Sequence, residues 1–266
     1  MSGQWIRVTR REPCRVCQKP DWCTVSVTGS ACCMRVESPR PMANGGWLHH
    51  HPEAKPPTPR QESHDDRPEI DAAALMSGFQ RETTDMQLDA LAESLGLPRH
   101  AVDALAPGWA RRHSAWAFPM RDGQGGIVGI RLRNDQGRKW AVTGSRSGIF
   151  VPTIIPQDHA LICEGPTDTA AALAMGYFAL GRPSCSSGFT ELATTCVRLG
   201  IKRVVVVADN DGPGRKGAED CGAKIGKPFK IFMPPTKDIR ALYRAGGRRD
   251  FVEDTLKSIL WRMNGR

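Results

Sequence analysis

Two short acidic motifs hold the residue types that could carry out chemistry. Glu164 and Asp168 lie in ALICEGPTD, and Asp209 and Asp211 lie in VVVVADNDGPG. A fifth acidic residue, Asp238, follows later in the chain. Because Asp209 and Asp211 are two residues apart, their carboxylates point to the same side of an extended chain. Carboxylates at this density repel one another unless cations neutralise them, and hard oxygen ligands suit Mg²⁺ or Mn²⁺.

Buried strands are expected to position these residues. From His159 onward, short apolar runs alternate with helical patterns, which predicts a parallel sheet covered by helices on both faces. Ligands bind at the carboxyl ends of the strands in such sheets. We therefore expect an α/β, Rossmann-like domain with the carboxylates at one edge and Asn210 facing the core. Taken alone, D-x-D also fits a turn, and Asp168 also fits a helix N-cap.

Basic charge is concentrated in parts of the chain. The formal net charge is +9, and basic residues outnumber acidic ones by eight to two between residues 111 and 148. That region is predicted to be an antiparallel meander, with Arg131, Arg133 and Lys139 on an outward face. A basic excess of this kind favours a nucleic-acid partner, although a solvated surface is the alternative. The acidic helical pair before it, within residues 69–106, favours packing over DNA reading.

Five of the nine cysteines lie close together near the N-terminus. Cys14 and Cys17 form a C-x-x-C pair, which is a strong indication of zinc binding in a reducing compartment. Cys23 and Cys33 are the preferred second pair, with Cys32 and the histidine run 49–51 as rivals. The other four cysteines are expected to be small core residues: Cys163, Cys185, Cys196 and Cys221.

Composition divides the chain into four parts. Residues 1–51 are rich in cysteine, tryptophan and turn residues, and the Pro-rich residues 52–68 are expected to be a linker. Residues 69–153 are predicted to form a small helical and basic β-rich subdomain. Residues 154–266 are predicted to form the parallel-sheet domain with C-terminal helices.

The two acidic motifs resemble those of the TOPRIM domain, which bacterial and phage primases share with topoisomerases and small nucleases. The resemblance assigns catalytic roles to Glu164, Asp209 and Asp211, with Asp168 and Asp238 assisting at the same Mg²⁺ or Mn²⁺ site. The cysteine segment resembles the zinc ribbon that precedes the catalytic part of primases. The segment FPMRDGQGGIVGIRLRNDQGRKWAVTG resembles their basic subdomain.

The resemblance implies a DNA primase that makes short RNA primers on single-stranded DNA by metal-dependent nucleotidyl transfer. Zinc would serve template recognition, and ribonucleoside triphosphates would be the substrates. Residues expected to contact nucleotide or nucleic acid are Arg131, Arg133, Lys139, Arg215, Lys216 and Lys237. A phage or other mobile element is the expected source.

Two other functions use the same features. A TOPRIM-type nuclease would use the same carboxylates, and a template-binding accessory protein would lack catalysis. A topoisomerase is disfavoured because Tyr177 and Tyr243 both lie inside the acidic-motif region. The sequence contains no Walker-type G-x-x-x-x-G-K-[ST] motif, so a helicase is expected to be a separate partner. The absence of a membrane segment and of a secretory signal leads us to expect a cytoplasmic protein of a bacterial or phage-infected cell.

Overall fold

The computed structural model of the protein describes residues 5–26, 29–42, 45–50 and 70–263. The chain divides into two compact units, Met1–Asp66 and Arg67–Arg266. The expected linker at residues 52–68 and the third histidine of the run 49–51 lie outside the described residues. Within the described part, no helix is both long and apolar enough to cross a membrane.

The N-terminal unit is built on a four-stranded antiparallel sheet. The strands occur in chain order: β1 (Trp5–Arg7), β2 (Thr24–Ser26), β3 (Ala31–Cys33) and β4 (Trp47–His49). Its core is small, with Val8 packed among buried cysteines. A core of this size provides little apolar burial, which is typical of small domains stabilised by a metal or by cross-links.

The second unit begins with three short helices: α1 (Ala72–Arg81), α2 (Asp85–Leu95) and α3 (Arg99–Asp103). Thr84 and Gln87 form a reciprocal capping box at the start of α2, and Gly96 ends that helix in the left-handed conformation, with φ of 67°. On the exposed surface of α2 and α3, Arg99 forms ion pairs with three aspartates: Asp85, Asp89 and Asp103. The acidic charge of α2 and α3 is therefore partly neutralised by an arginine of α3.

An antiparallel meander follows, as the alternating sequence predicts. Its strands also occur in chain order: β5 (Gly108–Ala110), β6 (Ala115–Arg121), β7 (Ile127–Arg133) and β8 (Lys139–Ala141). Helix α1 packs on this sheet through Ala72 and Met76, which meet Ile130 and Leu132. The sheet thus has one face covered by a helix.

The rest of the chain forms a parallel sheet of order β10-β9-β11-β12. Its strands are β9 (His159–Glu164), β10 (Ala179–Arg182), β11 (Arg203–Val207) and β12 (Phe229–Phe232). Three crossover helices connect them: α4 (Pro166–Ala174), α5 (Phe189–Arg198) and α6 (Gly212–Ile225). Helices α7 (Ile239–Arg244) and α8 (Arg249–Lys257) follow β12. The prediction of an α/β fold with a parallel sheet is confirmed.

Alternate residues of the strands supply the two cores of this domain. Val205 and Val207 of β11 belong to the cluster that includes residues of α4, α7 and α8. Val204 and Val206 belong to the cluster that includes residues of α5 and α6. Both faces of β11 are therefore buried, which explains its unbroken run of valines.

Residues 149 and 150 connect the two sheets of the second unit. Ile149 forms an antiparallel bridge with Arg121 of β6, and Phe150 forms one with Gly181 of β10. The four backbone hydrogen bonds of these bridges measure 2.8–2.9 Å. The meander and the parallel sheet are therefore joined by a continuous hydrogen-bonded backbone.

Residues 258–263 are not helical, although C-terminal helices are expected at this end of the chain. Helix α8 ends at Lys257, and the chain then runs antiparallel to β12, where Arg262 bridges Phe229. The guanidinium of Arg262 also donates to both carboxylate oxygens of Glu219, at 2.8 and 2.9 Å. Pairing with the exposed edge of β12 satisfies backbone groups that a longer helix would leave unpaired.

Candidate active site and cysteine cluster

Four of the predicted acidic residues lie at the carboxyl edge of the parallel sheet. Glu164 is the last residue of β9, and β9 pairs in parallel with β11. Asp209 and Asp211 follow the end of β11, and β11 pairs with β12. The loop after β12 brings in Asp238, because the amide of Asn210 donates to the carbonyl of Lys237 at 3.1 Å. The strand order thus places three separate acidic segments side by side.

Asp168 joins the same group from the first turn of α4. Its side chain is 7% exposed, and its Oδ1 has no hydrogen-bond partner in the described structure. The N-cap of α4 is Gly165, at φ of 81°, and this cap makes no side-chain hydrogen bond. The alternative that Asp168 caps the helix is therefore wrong. Its buried oxygen remains an acceptor for a ligand.

Asp211 and Asp238 begin helices as well as face the cluster. Oδ1 of Asp211 accepts from the Gly214 amide at 2.6 Å, and Oδ1 of Asp238 accepts from the Ala241 amide at 2.7 Å. A Cβ on Gly214 would lie 2.5 Å from the Asp209 carbonyl oxygen, so only glycine allows this close turn. Each cap uses one carboxylate oxygen and fixes the orientation of the other.

The cluster carries strong electrostatic repulsion. Burial raises the pKa of Asp168 to about 7, with Asp238 and Asp209 adding to the effect. Burial also raises the pKa of Asp209 to about 6, and Glu164, Asp238 and Asp211 reinforce that rise. The neighbouring carboxylates thus disfavour ionisation of Asp168 and Asp209, and a bound cation would remove that penalty.

Lys139, in strand β8 of the meander, partly offsets the repulsion among these carboxylates. Its Nζ lies 3.7 Å from where a Cβ on Gly165 would stand, and its charge lowers the pKa of both Asp168 and Asp209. Arg240, in the first turn of α7, also lowers the pKa of Asp168. Sequence reasoning missed Arg240. Its position two residues after Asp238, at the start of a helix, is the sequence feature that could have placed it near the acidic cluster.

Arg131 and Arg133 are half-buried rather than fully outward. The guanidinium of Arg131 donates to the carbonyl of Pro183 at 2.9 Å, and burial lowers its pKa. Burial also lowers the pKa of Arg133, whose charge interacts with those of Arg240, Asp168 and Asp238. Arg133 therefore belongs to the acidic cluster's surroundings, whereas Arg131 contacts the loop after β10.

The remaining predicted basic residues are exposed around the loop after β11: Arg215, Lys216 and Lys237. Arg215 donates to Oδ1 of Asn210 at 3.3 Å. Asn210 is itself exposed, so the expectation that it faces the core is wrong. The chain turns at this position, and the backbone N–H of Asn210 forms the contact with the neighbouring loop at Lys237.

Arg182 is a buried cation that sequence reasoning did not identify. It pairs in register with Glu164 and is 1% exposed. Its guanidinium donates to the carbonyls of Cys185 and Gly217 at 2.8 and 3.0 Å, while Nε has no partner in the described structure. Arg182 thereby fastens the loop after β10 to helix α6, immediately behind the acidic residues.

The N-terminal unit brings four thiols together. The Sγ atoms of Cys14, Cys17, Cys23 and Cys33 all lie within 4.8 Å of one another. Among the described residues, these four cysteines form the group of candidate metal ligands with this close spacing. The carboxylates at the sheet edge are more widely spread and do not meet it. The amides of Met34 and Val36 donate to the sulfurs of Cys23 and Cys33 at 3.4 and 3.3 Å. The Met34 bond lowers the pKa of Cys23, but burial raises it more, so a bound metal would be needed to favour the thiolate form that tetrahedral binding requires.

The rivals for the second cysteine pair lie outside this set. Cys32 is buried but does not belong to the group of four. His49 contacts the carbonyl of Val36 through Nε2 at 3.0 Å, and His50 contacts the hydroxyl of Ser30 through Nδ1 at 3.0 Å. Of the cysteines expected in the core, Cys163, Cys196 and Cys221 are buried, but Cys185 is partly exposed beside Glu164.

No protein-family model matches the chain, and no curated protein matches it by sequence. Solved structures match its fold. The DnaG primase catalytic domain bound to ssDNA has a TM-score of 0.56 and 15% identity, covering 71% of this chain and 78% of that chain. The zinc-binding and RNA polymerase domains of the Aquifex aeolicus primase have a TM-score of 0.56 and 13% identity, covering 72% and 60%.

A third structure extends over nearly the whole chain. The primase fragment of the bacteriophage T7 primase-helicase protein has a TM-score of 0.51 and 15% identity, covering 95% of this chain and 100% of that fragment. The resemblance to primases predicted from the two acidic motifs is thus matched at the level of fold. The chain has the α/β fold of DnaG-type primase catalytic cores, together with a four-cysteine cluster in its N-terminal unit.

Proposed function

We propose that the protein is a DNA primase that synthesises short RNA primers on a single-stranded DNA template. The observation that carries the proposal is the convergence of Glu164, Asp209, Asp211 and Asp238 at one sheet edge, with Asp168 buried beside them. The raised pKa values of Asp168 and Asp209 indicate a site that favours cations. The fold shared with primase catalytic cores supports the same function.

The carboxylates would hold Mg²⁺ or Mn²⁺. Glu164, Asp209 and Asp211 are the proposed principal ligands, with Asp168 and Asp238 assisting. When bound, such ions lower the pKa of an attacking 3′-hydroxyl and stabilise the charge on a leaving pyrophosphate. The N-capping bonds of Asp211 and Asp238 keep these side chains oriented before any ligand arrives.

Basic side chains would bind the triphosphate and the nucleic-acid backbone. Lys139 and Arg133 lie near the acidic cluster, so their proposed role is to neutralise charge on the incoming nucleotide. The exposed Arg215, Lys216 and Lys237 would contact phosphates around the loop after β11. Arg131 is proposed to face the duplex of RNA primer and DNA template, although its contact with Pro183 limits its reach.

The four-cysteine cluster would bind a structural Zn²⁺. Its donor set of four sulfurs fits tetrahedral zinc, and the amides of Met34 and Val36 donate to two of those sulfurs. Trp22 is 67% exposed, with the guanidinium of Arg35 5.7 Å from its ring centroid. The proposed role of this unit is template recognition, with Trp22 as a stacking surface for bases.

The proposal includes partners and a compartment. Ribonucleoside triphosphates are the proposed substrates, a separate replicative helicase is the proposed protein partner, and the cytoplasm of a bacterial or phage-infected cell is the proposed location. These follow from the resemblance to primases.

A primer-synthesis assay tests the function directly. The full chain is incubated with single-stranded DNA templates of varied sequence, labelled ribonucleoside triphosphates, and Mg²⁺ or Mn²⁺. Template-dependent oligoribonucleotides are expected. Strand cutting of plain DNA or RNA without nucleotides would instead support a TOPRIM-type nuclease. Normal template binding with no incorporation would support an accessory role.

A further inference from the structure

A cavity of about 310 Å³ lies away from the acidic cluster, at the junction of the two sheets of the second unit. Phe178, which lines it, immediately precedes β10 and therefore marks the amino edge of the parallel sheet. Arg121 at the end of β6 and Arg198 at the end of α5 also line it. The acidic residues follow the opposite ends of the strands, so the cavity is separate from the candidate active site.

The two arginines bring like charges together. Arg121 donates to the carbonyl of Gly125 at 2.8 Å, and Nε of Arg198 donates to the carbonyl of Gly123 at 2.9 Å. Burial lowers the pKa of Arg121, and the nearby charge of Arg198 lowers it further. Neither guanidinium forms an ion pair with a carboxylate in the described part of the chain. Asp122, the adjacent acid, uses Oδ1 to accept from Gln124 and Gly126.

Each guanidinium keeps free donors after these contacts. Arginine carries five N–H groups, and the bonds to the 123–125 turn use one nitrogen of each side chain. The same bonds hold the guanidiniums in place, since both brace one short turn. A Cβ on Gly125 would lie only 3.4 Å from the guanidinium carbon of Arg198. The result is a fixed pair of cations with unused donors at a cavity.

The rest of the cavity wall is largely apolar. Val151, Ile154, Phe178 and Leu199 contribute to it. A volume near 310 Å³ is at the lower end of the range for small-molecule pockets, and such pockets typically combine apolar walls with a few convergent polar groups. The cavity therefore fits a small ligand that has one strongly anionic group and one less polar body.

We propose that this cavity binds a phosphomonoester about the size of a nucleoside monophosphate, as an effector distinct from the substrates. A phosphomonoester carries a charge approaching −2 near pH 7, which balances two guanidiniums, whereas a single carboxylate balances one. Guanidiniums also match phosphate oxygens with paired hydrogen bonds. The bound ligand would contact Arg121 of the meander and Arg198 of α5 together, linking the two halves of the second unit.

Calorimetric titration tests the proposal, with AMP as the probe and the full chain in buffer without added Mg²⁺ or Mn²⁺. We expect saturable one-to-one binding. Arg198→Gln should weaken it by about tenfold or more, because a charge-assisted hydrogen bond is lost. Arg198 is exposed, so this variant should fold normally, and Arg121→Gln provides the second test. Arg112→Gln, at another exposed arginine, is the matched control and should bind AMP as the unmodified protein does.

Several results would overturn the proposal. Absence of AMP binding would do so, as would unchanged AMP binding in both Arg198→Gln and Arg121→Gln. Loss of binding in Arg215→Gln alone would assign AMP to the acidic edge instead. Two further ligands test the ligand class: adenosine binding as tightly as AMP would refute the role of the arginines, and orthophosphate binding as tightly would refute the role of the apolar wall.

Discussion

The amide of Asn210 donates a hydrogen bond to the carbonyl of Lys237 at 3.1 Å, and this bond joins the two loops that carry most of the acidic cluster. Asp209 and Asp211 flank Asn210, and Asp238 follows Lys237. The bond therefore fixes the backbone positions of the three residues that carry these carboxylates. This arrangement does not depend on the charges of the carboxylates. A site held in this way is ready for a cation without first having to fold around it.

Replacing Asp209 tests the acidic cluster as the catalytic site. Asp209→Asn should abolish primer synthesis, because it removes a proposed metal ligand while preserving the side-chain shape. The fold should persist, since the substitution relieves repulsion with Glu164, Asp211 and Asp238. Primer yield and thermal unfolding are measured on the same preparation. Asp220→Asn, on the exposed surface of α6, is the matched control and should keep full activity. Normal yield from Asp209→Asn would refute the site.

Asp168 should make the stability depend on pH when no divalent metal is added. Its pKa is raised from 3.8 to about 7 in the folded protein, so between these values the folded state binds more protons than the unfolded state. Stability from this group is then greatest at low pH and falls as pH rises from about 4 to about 7.

Urea unfolding at pH 5 and pH 8 measures this dependence. Asp168→Asn cannot ionise, so it should be more stable than the unmodified protein at pH 8, and the gain should shrink at pH 5. One pKa unit corresponds to about 1.4 kcal/mol, so the difference at pH 8 should reach a few kcal/mol. An equal pH dependence in the two proteins would contradict the raised pKa.

The cysteine cluster can be tested by metal content. Cys33→Ser should purify with much less than one zinc per chain, because it removes one of four sulfurs that lie within 4.8 Å of one another. Cys32→Ser changes the adjacent buried cysteine, which lies outside that group, and should retain the metal. Elemental analysis of both proteins gives the comparison. Equal loss of zinc in the two variants would show that the ligand set is different.

Lys139 should matter more than its neighbour Arg138. Lys139→Met should lower primer yield and raise the nucleotide concentration needed for half-maximal rate, since its charge lies beside Asp168 and Asp209. The guanidinium of Arg138 instead lies 5.4 Å from the ring centroid of Trp140, so Arg138→Met is the matched control. Steady-state rates over a range of nucleotide concentrations separate the two. Similar losses in both variants would indicate a general charge effect.

The presence of a parallel sheet could be predicted because the signals for its strands are local. Unbroken apolar strands such as Val204–Val207, separated by helical patterns, are sufficient to indicate parallel strands buried on both faces. Because parallel strands all point the same way, the residues that follow each strand lie at one edge of the sheet. The cysteine site could also be predicted from the C-x-x-C pair, whereas the choice of Cys23 and Cys33 over Cys32 and the histidines depended on the fold of the N-terminal unit.

Long-range packing decided the features that the sequence did not reveal. The burial of Arg182 depends on contacts with Cys185 and with Gly217 of α6, and no local pattern indicates a buried arginine. Likewise, the proximity of Lys139 to Gly165 arises only when the meander meets the parallel sheet. Asn210 was assigned to the core by strand alternation, but alternation ends where β11 ends.

The paired bridges at Ile149 and Phe150 have a mechanical consequence. To swing the meander away from the parallel sheet, the chain would have to break four backbone hydrogen bonds at once. The two sheets should therefore unfold in a single cooperative transition, and the amide protons of Phe150 and Gly181 should be among the slowest to exchange with solvent. The second unit would act as a rigid block, in which the lysine of one sheet and the carboxylates of the other keep their spacing throughout catalytic turnover.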